Sequence, residues 1–403
     1  MNGTSLPKGT TVRMAMVGCH NLDIDKEVKK VLELQKLPLL AHTKANCVSG
    51  EVYTYALENS VLNLRSWPQK ENTVLAEVSL AQELAAERTA VVELAEKLAK
   101  ALEPRATLFE ECDMRPRFAD PYDCNHGSYM NVESLIHSKQ SAFQYLVIAD
   151  TTDFGRVMAL DHAVQTTEKA NLWYHEPVVH PAMLTHRDPK RVAIVGGGDG
   201  GVAHQVIAHP SVQECVMVEL DEEVVTSSRK ELPFIHQGAL DDSRVKVEIR
   251  NALGYFDDIK EHFDVVLLDL TDPVGPAEEL YREPFYQSIC SAMTKEGVLA
   301  THIGAISQFY DYTPPAFQAL KNVFAEAHPY LHHVPDYGCV MGFVLCTKKG
   351  GPLPKASEIE ERLVARGLKE KLSLITAKTY EAIFALPPVY ERFLQSGERP
   401  IGS

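Results

Sequence analysis

At 403 residues, with 45% apolar and 24% charged side chains, the chain has the composition of a soluble globular protein long enough for two or three separately cored domains. A formal net charge of -15 argues against nucleic acid as a partner and favours cationic small molecules, although solubility alone would also account for it. No run reaches the apolar length of a membrane-spanning helix, and the N-terminus lacks the features of a secretion signal. A cytoplasmic protein without a membrane partner is expected. The eight cysteines include no C-x-x-C pair and several lie in apolar strands, so free buried thiols are expected rather than disulfides or a metal site.

In chain order, residues 11–19 read as a strand and Lys26–Leu37 as an amphipathic helix. Val48–Ala56 and Val61–Trp67 alternate as a hairpin around Glu58, Asn59 and Ser60, and Thr73–Leu80 supplies a further strand. Glu83–Leu102 carries Leu84, Val91, Leu94, Leu98 and Leu102 on one helical face before Pro104 stops it. Residues 1–103 therefore read as an α+β domain. Residues 104–140, rich in Pro, Asp, Asn and Ser, show no sustained period and read as a linker. A small β-rich region is expected over 141–180, with strands Tyr145–Ile148 and Arg156–Leu160 and a helical stretch Asn171–Val179.

Residues 181–403 read as α/β: a Rossmann-like, methyltransferase-type, mostly parallel sheet followed by two C-terminal helical patterns. Its strands are Val192–Val195, Cys215–Leu220, Val245–Arg250, Asp264–Asp269 and Gly297–Ile303, with Val340–Thr347 as a late edge strand. The first of them runs into Gly196, Gly198 and Gly201, the G-x-G-x-x-G spacing of a nucleotide-binding turn, and Glu219 follows at the offset where a carboxylate grips a ribose diol. Asp199 inside that loop disfavours a pyrophosphate and suits a cationic nucleoside such as a sulfonium. Its alternative is a helix N-cap. Ligands of such sheets bind at the carboxyl ends of the strands, which bear Asp199, Glu219, Asn251 and Asp269. Asp272, three residues beyond Asp269, completes a pair of carboxylates able to orient an alkylammonium and take its proton, or else merely forms the turn before Pro273.

With these residues assembled, the chain from about Gln144 to Leu394 resembles the spermidine and spermine synthase family of aminopropyltransferases. The likeness is carried by Gln144-Tyr145, Leu160-Asp161, Gln165 to Glu176, the loop Gly196 to Gly201, Glu219-Leu-Asp221, Asp269 to Ala277, Pro335-Asp-Tyr337 and Phe384 to Pro388. The resemblance implies transfer of the aminopropyl group of decarboxylated S-adenosylmethionine to a polyamine with release of methylthioadenosine, and no metal or prosthetic group. It implies that Asp269 is the base and that Tyr174 places it. On the donor side it implies Gln144, Asp161, Gly196, Gly198, Asp199, Glu219 and Asn251, and on the acceptor side Gln165, Tyr174, Asp272 and Tyr337. Three positions depart from the family: Asn251 where Asp is usual, Gln205 for Glu, and His175 where many members have Gln. Asp269-Leu-Thr-Asp272 and His302-Ile-Gly304 look more like thermospermine synthases and broad-acceptor prokaryotic enzymes than putrescine-using members. Spermidine is therefore the expected acceptor, with putrescine as the alternative.

Residues 1–103 resemble bacterial S-adenosylmethionine decarboxylase and the corresponding front domain of animal spermine synthases, on Ser60-Val-Leu-Asn-Leu-Arg-Ser-Trp-Pro68. Ser60 falls on the self-cleaving Ser, but Asn59, Arg65 and Ala81 replace the Glu, His and Cys that accompany it. The resemblance thus implies an unprocessed domain kept for homodimerisation. Two other readings share the glycine loop: a methyltransferase, which has no need of Asp269 paired with Asp272, and a polyamine or nucleoside sensor without turnover.

Overall fold

The computed structural model describes residues 127–161, 163–272, 275–305 and 311–398, together with strands at 4–5, 11–17, 39–45, 50–57, 60–68, 73–80, 106–112 and 117–121. Side chains are described from residue 130 onward, apart from 162, 273–276, 306–310 and 399–403. Two compact units are present: Met1–Ile136 with Ala149–Asp153 and Asp161–Ala163, and the remainder through Ser403.

In the first unit an antiparallel sheet runs in the order Leu39–Ala45, Gly50–Leu57, Ser60–Pro68, Thr73–Leu80, Thr11–Val17, Ala106–Cys112. The expected hairpin is there, with Leu57 paired to Ser60. Residues 104–140 are not an element-free linker: they contain strands Ala106–Cys112, Arg117–Pro121 and Gly127–Gln140. Arg117–Pro121 pairs antiparallel with 127–131. Such a strand is stabilised by the ladder it joins, which local periodicity does not report. The helices expected at Lys26–Leu37 and Glu83–Leu102, and the side chains of Asn59, Ser60, Arg65 and Ala81, lie outside the described residues.

The second unit is built on a seven-stranded sheet: β1 (Arg191–Gly196), β2 (Glu214–Glu219), β3 (Val245–Ile249), β4 (Phe263–Asp269), β5 (Met293–Ala305), β6 (Glu326–Val334) and β7 (Cys339–Thr347), in the spatial order β3-β2-β1-β4-β5-β7-β6. The first five are mutually parallel, while β7 runs antiparallel to both its neighbours. Val192 and Ile194 of β1 join one core while Ala193 and Val195 join the other. Burial on both faces explains why these strands read as unbroken apolar runs. Cys339–Thr347 is therefore not an edge strand; β6 holds the edge. Its sequence, with Pro329 and three histidines, gives little strand signal, and an edge is where a ladder tolerates a residue without an N–H.

Helix α1 (Leu172–Thr185) is buried over nearly its whole circumference and continues beyond the expected Val179 through two prolines, Pro177 and Pro181. Each proline lacks the N–H that would serve the carbonyl four residues earlier. The Tyr330 hydroxyl donates to the Pro177 carbonyl at 2.8 Å, and the His332 ring hydrogen-bonds the Trp173 carbonyl. The helix persists because strand β6 replaces what the prolines remove. Next come α2 (Gly201–Ile207), α3 (Glu222–Glu231), α4 (Glu283–Ala292) and α5 (Thr313–Val323).

The C-terminal segment holds three helices rather than two: α6 (Ala356–Ala365), α7 (Ala377–Ala382) and α8 (Pro388–Ser396). Arg366, just past α6, donates to the carbonyls of Met183, His186 and Arg187 at 2.7–2.9 Å and to His209 Nδ1 at 3.1 Å. Because a guanidinium only donates, His209 must carry its proton on Nε2 and give it to His180 Nδ1 at 3.0 Å; His180 Nε2–H then donates to Gln205 Oε1 at 2.9 Å. This one-way chain holds both imidazoles neutral, and burial pushes His180 down to about 4. In α1, Glu176 is 1% exposed and accepts the backbone N–H groups of Ser373, Leu374 and Ile375 at 2.8–3.3 Å. Glu176→Ala orphans those donors and is expected to lower the unfolding free energy by about 2–3 kcal/mol in urea titrations. The four described cysteines, Cys215, Cys290, Cys339 and Cys346, are free thiols as expected.

Candidate active site

The parallel register brings the carboxyl ends of three strands together. Gly196 of β1 pairs with Asp269 of β4, and Glu219 ends β2 one residue beyond the Val195–Val218 pair. Gly196 has φ +79, and a Cβ there would stand 2.0 Å from the Asp269 carbonyl, so only glycine lets β1 turn against β4. A Cβ on Gly198 would lie 3.0 Å from a Glu219 carboxylate oxygen. The glycine loop is thus closed around Asp269 and Glu219 by the protein itself.

Asp199, 6% exposed, points inward from that loop. Its Oδ1 accepts the Gly201 N–H at 2.8 Å and its Oδ2 lies 3.2 Å from His175 Nε2. One oxygen thus meets the N–H of Gly201 from the residue before the cap, which is Gly200, so Asp199 is not itself the N-cap, while the other meets an imidazole that sequence reasoning had noted only as a departure. Burial alone would raise the Asp199 carboxyl, but the His175 charge and hydrogen bond overcome it and hold it below the usual range. His175 is raised in turn: burial opposes its charge, and Asp199 outweighs burial. Atoms of His175, Asp199 and Asp269 lie within 4.8 Å of one another, a spacing that would suit a metal ion. A ligating histidine must be neutral, whereas Asp199 favours the imidazolium.

Asp269, the expected base, is pushed up to about 7, first by burial and then by Asp199, while His175 and the Tyr174 hydroxyl pull the other way. Tyr174, 6% exposed, hydrogen-bonds Asp269, and burial keeps its own phenol protonated. Its ring stands 5.8 Å from that of Tyr337, whose hydroxyl donates to the Gln165 carbonyl at 2.6 Å. Asp272 is half-buried and bears electrostatically on both Tyr281 and Tyr337.

Two residues behind the Asp269–Asp272 loop were given no structural role in the sequence, where His302 stood only in the motif His302-Ile-Gly304. His302 Nε2 lies 2.7 Å from the Leu270 carbonyl and 3.0 Å from the Tyr281 hydroxyl, which itself donates to the Thr271 carbonyl at 2.9 Å. His302 Nδ1 accepts the Gly304 N–H at 3.2 Å, so the ring is neutral, and burial pushes it down to about 4. Together they pin the backbone between Asp269 and Asp272. Tyr281→Phe, which frees the Thr271 carbonyl, is expected to lower kcat about tenfold with a small change in Tm. Asp336, adjacent to Tyr337 and 3% exposed, accepts from the Thr167 hydroxyl at 2.9 Å, and its Oδ1 has no hydrogen-bond partner among the described residues.

On the nucleoside side, Glu219 Oε1 accepts the Asp221 N–H at 2.9 Å, and burial pushes its carboxyl up to about 7. The Gln144 amide donates to Asp221 Oδ2 at 3.0 Å. Beside them opens a cleft of about 570 Å³ lined by Ser141, Phe143, Leu220, Asp221, Ile249 and Asn251. Asn251 is exposed, and its Oδ1 accepts the Leu253 N–H at 2.9 Å. Asp161 belongs to the first unit, where its backbone has φ +47.

The profile of the spermine/spermidine synthase domain matches residues 171–356, and that of the spermidine synthase tetramerisation domain matches 118–168. The polyamine aminopropyltransferase of Nitrosomonas europaea is 35% identical over 283 residues, 70% of this chain and 87% of that protein. The chain belongs to the spermine/spermidine synthase family. It is an enzyme of a family that transfers aminopropyl groups. The polyamine aminopropyltransferase of Pyrobaculum calidifontis is likewise 35% identical, over 66% of this chain and 94% of its own. A crystal structure of spermidine synthase in complex with the transition-state analogue AdoDATO superposes with TM-score 0.66 at 30% identity, covering 70% of this chain and 95% of that one. Spermidine synthase from Thermotoga maritima gives 0.64 at 29% identity over 70% and 94%. The tetramerisation match takes in part of the stretch first read as a linker, and it points to an oligomer without specifying a dimer. Among the described residues no helix is long and apolar enough to cross a membrane.

Proposed function

We propose that the enzyme moves the aminopropyl group of decarboxylated S-adenosylmethionine to spermidine, with putrescine as the lesser acceptor. The observation that carries this reading is Asp269, held near neutrality by burial beside Asp199 and hydrogen-bonded to Tyr174. An acid of pKa about 7 exists as a base over half its population at pH 7 and still binds a proton well. Asp269 takes the proton of the attacking amine, the nitrogen lone pair forms the new N–C bond, the C–S bond breaks, and the sulfonium leaves as the neutral thioether of methylthioadenosine. Asp272 and Tyr337 hold the distal amine, with Gln165 behind Tyr337. Glu219 takes the ribose hydroxyls. Gln144, Gly196, Gly198 and Asn251 border the nucleoside, and Asp199 faces the aminopropyl ammonium. No metal or prosthetic group is required, and decarboxylated S-adenosylmethionine is a co-substrate.

Supporting spermidine over putrescine, Gly304, at φ +86, adds no side chain where putrescine-using members of the family carry a carboxylate-bearing one. Incubation with decarboxylated S-adenosylmethionine and each amine, with products identified by mass, tests the reading: spermine or thermospermine is expected to predominate. A tenfold preference for putrescine reverses the order, and release of S-adenosylhomocysteine from S-adenosylmethionine makes the protein a methyltransferase. For residues 1–103 we propose an unprocessed decarboxylase-like domain in a cytoplasmic homodimer. Intact-mass measurement is expected to find one chain, and two fragments separated between Asn59 and Ser60 would refute it.

A further inference from the structure

The turn between β6 and β7 is closed by the Gly338 N–H on the Pro335 carbonyl at 3.1 Å, with Asp336 and Tyr337 at its central positions. Both side chains reach the strand Ala163–Thr167: the Tyr337 hydroxyl donates to the Gln165 carbonyl at 2.6 Å, and Asp336 Oδ2 accepts from the Thr167 hydroxyl at 2.9 Å. The Thr167 oxygen itself accepts the Ala170 N–H at 3.2 Å, so its hydrogen is committed to Asp336 and the carboxyl group is fixed in place. Asp336 is 3% exposed, and its Oδ1 has no hydrogen-bond partner among the described residues. An amide at this position would accept from Thr167 equally well without carrying an acid into the interior, so folding alone gives no reason for a carboxyl with an open oxygen. Its surroundings give one. Asp336 bears electrostatically on Tyr337 and on His175, and Asp269 bears on both. The Tyr337 ring stands 5.8 Å from that of Tyr174, which hydrogen-bonds Asp269.

We propose that Asp336 is a specificity-determining residue whose Oδ1 receives the inner, secondary ammonium of a triamine acceptor. This rests on the reading that the acceptor lies between Asp269 and the pair Asp272 and Tyr337. A linear triamine brings three nitrogens: Asp269 deprotonates the first, Asp272 and Tyr337 hold the last, and the middle one needs an oxygen in a site shielded from water. Putrescine has no middle nitrogen and leaves Oδ1 without a donor. The charge need not be present beforehand, because an ammonium beside a buried carboxyl favours its ionised form. A site built to hydrogen-bond one group of its substrate rejects the analogue lacking that group far more steeply than an apolar pocket does.

The diamine 1,8-diaminooctane has the length of spermidine with a methylene in place of the inner nitrogen, and so isolates that one group. With decarboxylated S-adenosylmethionine as donor, the wild-type enzyme is expected to show a kcat/KM for spermidine about thirtyfold above that for 1,8-diaminooctane. Asp336→Asn keeps an oxygen for Thr167 and turns an N–H toward the cation. It is expected to shrink the ratio about tenfold, through a raised KM for spermidine, and to lower the preference for spermidine over putrescine in the same proportion. An unchanged Kd for methylthioadenosine reports that the donor side is intact. A wild type that uses spermidine and 1,8-diaminooctane equally well overturns the proposal. So does a variant that loses activity on both in equal measure, which is what a merely structural Asp336 predicts. Should Asp336→Asn not fold, Asp336→Ser is read in the same way, and the wild-type comparison stands without any variant. A wild type that prefers putrescine to spermidine refutes the acceptor reading instead, and the ratio of spermidine to 1,8-diaminooctane then still decides the role of Asp336.

Discussion

Asp269→Asn is expected to leave a folded protein that binds its donor and transfers almost nothing, with kcat lowered about 1,000-fold. The parent enzyme should gain activity as pH rises through about 7, where the buried carboxyl gives up its proton, and the variant's residual rate should lack that step. Stability gives a second readout. The carboxyl is raised from 3.8 to about 7 on folding, so the native state holds a proton that the unfolded chain has released between those values. Stability therefore falls as pH rises across that window. Above pH 7 the native enzyme carries an ionised group in surroundings that favour its acid. The substitution should raise Tm at pH 8 and leave it nearly unchanged at pH 4. A variant that keeps a tenth or more of the parent kcat would remove Asp269 from the mechanism.

Arg366→Ala is expected to have the largest effect on stability, about 3–4 kcal/mol in urea unfolding, because three carbonyls at the end of α1 and His209 lose their donor together. The same network predicts a pH dependence of the opposite sign to that of Asp269. His180 falls from 6.5 to about 4 on folding, so the unfolded chain binds the proton first. Its contribution is whole above pH 6.5 and is lost as pH falls toward 4, amounting to roughly 3 kcal/mol at most. His209, which burial also places well below its ordinary value, adds in the same direction. Because Asp269 contributes with the opposite sign over the same window, the relay is tested at the ring itself: a His180 imidazole that titrates near 6.5 in the folded protein would contradict it.

What the sequence made legible was whatever lies close together along the chain. The glycine turn, the acidic ends of β1, β2 and β4 and the Asp269–Asp272 loop all sit where hydrophobic period and turn chemistry put them. Partnerships across long separations were not legible. Glu176 reads as one more polar residue until it meets the N–H groups of Ser373 to Ile375, nearly 200 residues later. His302 and Tyr281 look like core residues, and only the fold shows them gripping the carbonyls of Leu270 and Thr271. His175 was visible as an oddity, but its meaning depended on Asp199 turning toward it. Strand β6 failed for a related reason: pairing with β7, rather than its own composition, makes it a strand.

The donor chain from Arg366 through His209 and His180 ends on an amide oxygen, and that choice of terminus restricts what residue 205 can be. A glutamate at position 205 would attract a proton onto His180 and place a charged pair where both imidazoles are now neutral. Gln205→Glu alone should therefore be destabilising, and tolerated only where the histidine pair changes with it.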